Sequence, residues 1–252
     1  MAAHRAGYAS LSLSSSVDEA MNDQPEQNAD AHHLGCQIKS INIGPRVEVD
    51  IFGQKKLTAY EKHPVEHDVF VDENGIVGDG HYAREAEEGK DHAVQICSED
   101  NYAFWTERLN KNLRLGVFGE SITYGGPDEF SVRIGDVAVI GDITLEITGP
   151  RIPCAKLAHF IGEDISFPRT YHQTSRTGMY ARVLTPGRLS TSNRMKFQST
   201  GAKLPFVSEI AAALLQRDPD QNWMKAMIDE PILSIMIRNM YVKKLEAVSR
   251  RR

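Results

Sequence analysis

From Cys36 onward apolar positions alternate with polar ones, and after about residue 200 they recur at helical spacing. Cys36 and Ile38, then Val47, Val49 and Ile51, read as half-buried strands separated at Gly44-Pro45. The clearest alternation is FSVRIGDVAVIGDITLEITG: Phe130, Val132 and Ile134, then Val137 and Val139, then Ile143, Leu145 and Ile147. Gly141-Asp142 predicts a two-residue hairpin turn of type II′ between two of these runs. A further strand pair is expected around MYARVLTPGRLS, with its turn at Pro186-Gly187. One helix interrupts the strands. Ser98 can cap it with Glu99 and Asp100 in its first turn, and Tyr102, Trp105 and Leu109 share one face. Many short, mostly antiparallel strands around one inserted helix predict an α+β chain, mainly β, built on a closed or nearly closed barrel.

Three short helices follow. Ser208 opens a run with Ile210, Leu214 and Leu215; Trp223, Met224, Met227 and Ile228 mark a second; Ser234 opens a third with Ile237, Met240, Tyr241, Leu245 and Val248. Such a bundle is marginal alone, so it is expected to pack on the barrel or on a second copy of the chain in a homodimer. Residues 1–34, rich in Ser, Ala, Asn, Asp and Gln, read as a disordered extension. Early acidic residues, Asp18 and Glu19, argue against an organelle transit peptide. The expected organisation is therefore 1–34 extension, 35–200 barrel and 201–252 helical module.

At 252 residues the chain holds one sizeable core, or one with a small appendage. Its apolar stretches fall well short of the ~20 residues that cross a bilayer, which argues against a membrane protein. A net charge of −5 gives no general attraction to nucleic acid. A helix-turn-helix reading of the last helices is further disfavoured by Asp218, Asp220, Asp229 and Glu230. Cys36, Cys97 and Cys154 are odd in number and widely spaced, matching neither a disulfide framework nor a paired-cysteine zinc site, and a reducing cytoplasm fits best.

Chemistry concentrates in Thr148 to Leu157, TGPRIPCAKL, where Cys154 lies between Arg151 and Lys156. A thiol with an ordinary pKa of about 8.5 is mostly protonated at neutral pH, and nearby cations favour the thiolate that attacks electrophiles or binds a soft metal. Pro150 and Pro153 keep the run out of a strand or helix interior, so the cysteine belongs on a loop leaving a strand. The alternative is a small buried core cysteine, against which the flanking charges argue. Elsewhere, Asp79, His81, Asp91 and His92 gather in a charged loop that could bind a metal or simply be solvated, since no zinc-ligand spacing is present. Gly116, Gly119, Gly125 and Gly126 would let backbone amides approach an anion, without the spacing of a P-loop.

Together GIVGD (75–79), KDHAVQ (90–95), FGES (118–121), IGD (134–136), TGPRIPCAKL, TGMYARVL (177–184) and the VSEIAAALL run from Val207 resemble the MOSC family, named after the C-terminal domain of molybdenum cofactor sulfurase. The resemblance is to its bacterial branch with a C-terminal three-helix module, and covers roughly residues 35 to 250. It implies a β-barrel holding a molybdopterin-type molybdenum cofactor, with Cys154 as metal ligand or persulfide carrier. It also implies a cleft lined by Thr58, Lys62, Asp79, Gly119, Glu120, Ser121, Arg151, Lys156 and Arg182, whose cations meet the cofactor's phosphate. The sulfurase's pyridoxal-phosphate domain has no room here. Two positions depart from the family pattern: Glu87-Glu88-Gly89 replaces His-Gly-Gly, and Ser121 replaces an asparagine.

Three functions follow from that resemblance. One is a molybdenum-dependent reductase of N-hydroxylated bases or related N-oxygenated small molecules. The others are a sulfur carrier or transferase using a Cys154 persulfide, and a noncatalytic cofactor binder. With no iron-sulfur cysteine set and no flavin motif in sight, a reductase would need an external electron-donor protein, and a carrier a sulfur donor.

Overall fold

The computed structural model describes residues 35–81 and 87–250. The predicted extension at 1–34 lies outside them. Seven strands close a barrel: β1 (Cys36–Ile43), β7 (Val94–Ser98), β8 (Ile122–Gly125), β9 (Val137–Ile140), β10 (Ile143–Pro150), β11 (Met179–Thr185) and β13 (Arg194–Gln198). Their order is β13-β9-β10-β11-β7-β8-β1, with β1 pairing back onto β13 through Cys36 and Gln37. Only β7 and β8 are parallel. A parallel pair requires a crossover, and α2 (Glu99–Leu109) supplies it. Ser98 caps α2 by accepting from the Asp100 amide at 3.3 Å, as its sequence predicts. The interior fills with alternate residues of each strand, among them Ile38, Ile96, Ile122, Ile140, Leu145, Ile147 and Met179. A seven-stranded closed barrel with helices outside it is the α+β architecture that the alternation implied.

Three smaller pieces decorate the barrel. β4 (His63–Val65) extends β1, and its Pro64 is tolerable because β4 is an edge. β2 (Val47–Ile51) and β3 (Gln54–Thr58) form a separate hairpin in which Ile51 alone of the alternating Val47, Val49 and Ile51 is buried. β5 (Val69–Asp72), β6 (Gly75–Ile76) and β12 (Gly187–Leu189) make a third sheet. Helix α1 (Glu87–Lys90) precedes β7.

Two strand expectations are corrected. Residues 130–134 are a run of turns with one isolated bridge, Arg133 to Phe206, rather than a strand; Phe130 is exposed while Val132 and Ile134 dip into the core. Pro186 does not close a hairpin either: β11 pairs with β10 and β7, whereas β12 leaves to pair with β5. A proline without an amide donor ends one ladder, and the chain crosses to another sheet. The β9–β10 hairpin is as expected, with Ile140 opposite Ile143 and Gly141 alone of the two turn residues at positive φ, +58°.

Helices cover two sides. α2, α3 (Ala155–Ile161) and α4 (Phe167–Gln173) bury a cluster around Trp105, Phe118, Leu157 and Tyr171. α5 (Val207–Leu215) packs on β10, α7 (Ile235–Ser249) packs on α5, and α6 (Gln221–Ile228) packs on α7; Ile210, Met224, Ile237 and Leu233, which lies between α6 and α7, belong to the same hydrophobic cluster as the barrel interior. Gly149 on β10 makes this approach possible: a Cβ there would lie 2.2 Å from the Ile237 side chain. Ser234 caps α7, as its sequence predicts. α5, however, starts at Val207, with the Glu209 carboxylate accepting from the Phe206 amide at 2.8 Å, while Ser208 is buried. No helix among the described residues is long and apolar enough to cross a membrane.

Glu129 ties these layers together. Its carboxylate accepts from Asn101 of α2 at 2.7 Å and from the Gly178 amide, and its backbone carbonyl accepts from the Ser208 amide at 2.9 Å. Burial pushes the carboxyl up to about 7. The unfolded chain releases that proton near pH 4.3, so between about 4.3 and 7 the folded state binds the extra proton. The contribution is therefore most favourable at low pH and is lost as pH rises through that window, by roughly 4 kcal/mol. Glu129→Gln should flatten this slope, and urea unfolding at pH 5 and pH 8 will show it.

Candidate active site

β10 delivers the chain to the site. Pro150 is its last residue, the Arg151 amide donates to Gly178 O at 2.9 Å, and α3 starts at Ala155. Cys154 is the N-cap of α3 in extended conformation, φ −143°, and lies on the connection leaving a strand that its two prolines predict. Its side chain makes no capping hydrogen bond, and the half-buried sulfur lines a cleft. The cleft is also lined by Tyr60, Lys62, Asn74, His81, His92, Gln95, Gly119, Ser121, Arg151, Lys156 and Tyr180.

Arg151 is the electrostatic centre of this cleft. It is only 1% exposed, its Nη2 donates to the Tyr60 hydroxyl at 2.7 Å, and Tyr60 in turn donates to Phe118 O at 2.9 Å. Burial opposes the charge, but Tyr60, Cys154, Tyr180 and Tyr171 around it outweigh that effect and hold its pKa above the ordinary range. Burial likewise raises the Tyr60 phenol above its usual range. The second terminal nitrogen, Nη1, is buried with no hydrogen-bond partner among the described residues. An unpaired guanidinium nitrogen is costly in an interior, so a cleft that keeps one suits an anionic or strongly accepting ligand.

Lys62 is also buried, but its charge is already spent. It pairs with Asp79, both side chains almost wholly enclosed, and its ammonium donates to Ser121 Oγ at 3.1 Å. Asp79 also accepts from the Gly44 amide at 3.3 Å. Losing one member of a buried pair strands the other. Lys62→Met should therefore destabilise the protein by about 3–5 kcal/mol, and the Lys62→Met/Asp79→Leu double variant should recover most of it, in a double-mutant cycle followed by chemical denaturation.

Of the ten residues chosen from sequence, six line the cleft: Lys62, Gly119, Ser121, Arg151, Cys154 and Lys156. Three stand behind it. Thr58 Oγ1 accepts from the Tyr60 amide at 3.1 Å, and Asp79 holds Lys62. Glu120 is wholly buried, its Oε1 accepting from Tyr102, the Gly116 amide at 2.9 Å and Thr123 at 2.7 Å; burial raises its carboxyl pKa. It fastens the glycine loop rather than facing a ligand. Arg182 is the misplacement. It ion-pairs with Asp91 at 2.9 Å and with Glu146 at 3.5 Å, and it donates to Ile232 O at 2.9 Å.

The glycine loop does not work as an amide cradle at Gly119, whose N–H donates to Gly116 O at 3.0 Å. Gly119 instead makes room: at φ +79° a Cβ would stand 2.9 Å from the Tyr60 ring. Nor do the acidic and histidine residues form a metal centre, because no group of three His, Cys, Asp or Glu suited to a metal occurs among the described residues. His81 and His92 face the cleft instead, and Asp91 braces Arg182. His92, noted in sequence only as a member of the charged loop, lines the cleft, and Tyr60, Gln95 and Tyr180 are further lining residues that the sequence does not single out. Tyr60 lies between Thr58 and Lys62, and Gln95 and Tyr180 lie inside the KDHAVQ and TGMYARVL motifs, on strands whose apolar neighbours draw the eye.

A closed seven-stranded barrel flanked by helices, with a cysteine at a strand-to-helix junction beside a buried arginine, defines the class. A model of the MOSC domain matches residues 82–196, and the chain belongs to the MOSC family. It is 33% identical over 166 residues to "Uncharacterized protein YflK" of Bacillus subtilis (strain 168), covering 66% of this chain and 75% of that one. It is 30% identical over 151 residues to a protein named "Reductase" from Gibberella moniliformis (strain M3125 / FGSC 7600), covering 57% of this chain and 26% of that much longer one. The crystal structure of YiiM from Geobacillus stearothermophilus superposes with a TM-score of 0.69 at 27% identity, over 83% of this chain and 99% of that one.

Proposed function

We propose that this MOSC protein binds a molybdopterin-type molybdenum cofactor in the Cys154 cleft and reduces N-hydroxylated bases or related N-oxygenated compounds. The observation that carries the reading is the unpartnered, buried Nη1 of Arg151 in the same cleft as the sulfur of Cys154. The donor set fits the group: a soft thiol for the metal, and Arg151 and Lys156 for phosphate oxygens. Lys62 contributes less charge than its type suggests, because Asp79 neutralises it. When bound, the cofactor supplies the two-electron redox chemistry. The chain's own residues hold it, shape the cleft through the Tyr60 and Tyr180 rings, and exclude bulk water from the Arg151 side. Reducing an N-hydroxyl group to an amine takes two electrons and two protons and releases water, so an external electron-donor protein is part of the proposal. The reductase named among the relatives is compatible with this class of chemistry.

A sulfur-carrier reading draws on the same half-buried sulfur, whose side chain is not engaged in capping α3. The two are separated by assay. Protein purified from a host that makes the cofactor, supplied with a reduced viologen dye, should convert an N-hydroxylated base to its amine. Cofactor-loaded protein that yields no amine, but carries a labile sulfur adduct on Cys154 by mass spectrometry, would favour the carrier.

A further inference from the structure

The cleft wall at 89–93 is fastened to the N-terminus of α7. The His92 ring lies 3.0 Å from Ser234 Oγ through Nε2, and the Ile235 amide donates to Asp91 Oδ2 at 2.9 Å. Thr148 Oγ1 donates to Asp91 O at 2.6 Å, and the Ser234 amide donates to Thr148 O at 2.9 Å. Arg182 completes the clamp, bridging Asp91 and the Ile232 carbonyl, both at 2.9 Å. On its cleft side His92 meets Tyr180, ring centroids 4.3 Å apart and tilted by 43°, and both rings line the cleft.

We propose that Ser234 is a positioning residue of the cleft: its hydroxyl fixes the His92 ring against Tyr180, making the C-terminal helical module part of the active site. The chemistry of the bond supports a fixed ring state. Ser234 Oγ already accepts from the Ile237 amide at 3.4 Å as helix cap, which leaves its own proton to point at Nε2 of the His92 ring. Ser234 is fully buried, so no water competes at that position. Two aromatic rings tilted against each other give the cleft wall a defined shape, and a change in the His92 ring position would alter the edge presented to a ligand. In this respect the proposal rests on the cleft being the active site.

Ser234→Ala should keep the fold, at a cost of about 1 kcal/mol for the lost helix cap, while removing this bond. Asp220→Ala is the control: it deletes the cap of α6, which accepts from the Asn222 amide at 2.9 Å and the Trp223 amide at 3.1 Å and is not bonded to the cleft wall. Nitrogen-15 NMR of the imidazoles in the unloaded protein should find the same His92 ring-nitrogen shifts in wild type and in Asp220→Ala, and altered ones in Ser234→Ala, with the Tyr180 ring signals moving as well. In the cofactor-loaded protein Ser234→Ala should lower kcat/KM by about two- to ten-fold and shift its pH profile, with Asp220→Ala unchanged. Unaltered His92 signals in Ser234→Ala, or an equal change in Asp220→Ala, would overturn the proposal, as would wild-type kcat/KM and pH profile in Ser234→Ala. Absence of wild-type reductase activity would instead defeat the reductase reading, and the imidazole signals would still decide the role of Ser234.

Discussion

Cys154→Ser should fold normally and lose reduction of N-hydroxylated bases by more than about a hundred-fold. Outer partners of metal ligands already cost 10–100-fold on mutation, and this change exchanges a soft thiolate for a hard, largely protonated hydroxyl at the ligand itself. The fold should survive because the side chain is half-buried, packs only at the margin of the helical cluster and makes no capping bond. A stability change below about 1 kcal/mol is expected. Cys97→Ser offers the contrast. Cys97 is fully buried on β7, 3.7 Å from Asn101 Nδ2, and burial raises its thiol pKa well above the usual range. That variant should lose some stability and keep activity. Thermal unfolding beside single-turnover reduction separates the two, and a Cys154→Ser protein with full molybdenum and full activity would defeat the ligand assignment.

Arg151→Met should cost the protein far more cofactor than stability. The guanidinium is buried, bonded to Tyr60 on one side and unpartnered on the other, with Tyr60 and Tyr171 rings 5.5 and 6.0 Å away. Methionine removes an unpartnered buried nitrogen but forfeits the hydrogen bond to Tyr60 and the favourable surroundings of the charge, so the unloaded variant should lose about 1–3 kcal/mol and remain folded. Charge-assisted hydrogen bonds to a phosphate are worth about 1.5–3 kcal/mol, so cofactor affinity should fall by about ten- to a hundred-fold or more. Lysine at this position restores the charge without the planar fork and should recover only part of it. A purely structural arginine predicts cofactor lost only in proportion to the folded protein lost.

Much of the barrel is legible because its strands bury one face, which forces alternation in β9 and β10, and because Ser98 and Ser234 sit at helix starts they do cap. Alternation misleads where burial has another cause. Val132 and Ile134 reach the core from a set of turns whose backbone pairs with Pro205 and Phe206, residues some 70 positions away that no local pattern reveals. Arg182 misleads for a related reason. It lies two residues beyond Tyr180 on the same strand face, about 6–7 Å further along, where Asp91 and Glu146 take it out of the cleft. Which carboxylate a cation meets depends on strand register, and register depends on contacts distant in sequence. Cys154, Arg151 and Lys156 were readable together because one short segment carries all three.

The central claim is that the cleft of Cys154 and Arg151 holds a molybdenum cofactor. Its most direct test is the metal and pterin content of wild type and Arg151→Met, both purified from one host that makes the cofactor, by elemental analysis and by fluorescence of the oxidised pterin. Stoichiometric molybdenum and pterin in wild type, with both largely lost from a fully folded Arg151→Met protein, is the predicted result; wild type without molybdenum, or a variant that keeps its full complement, would contradict it.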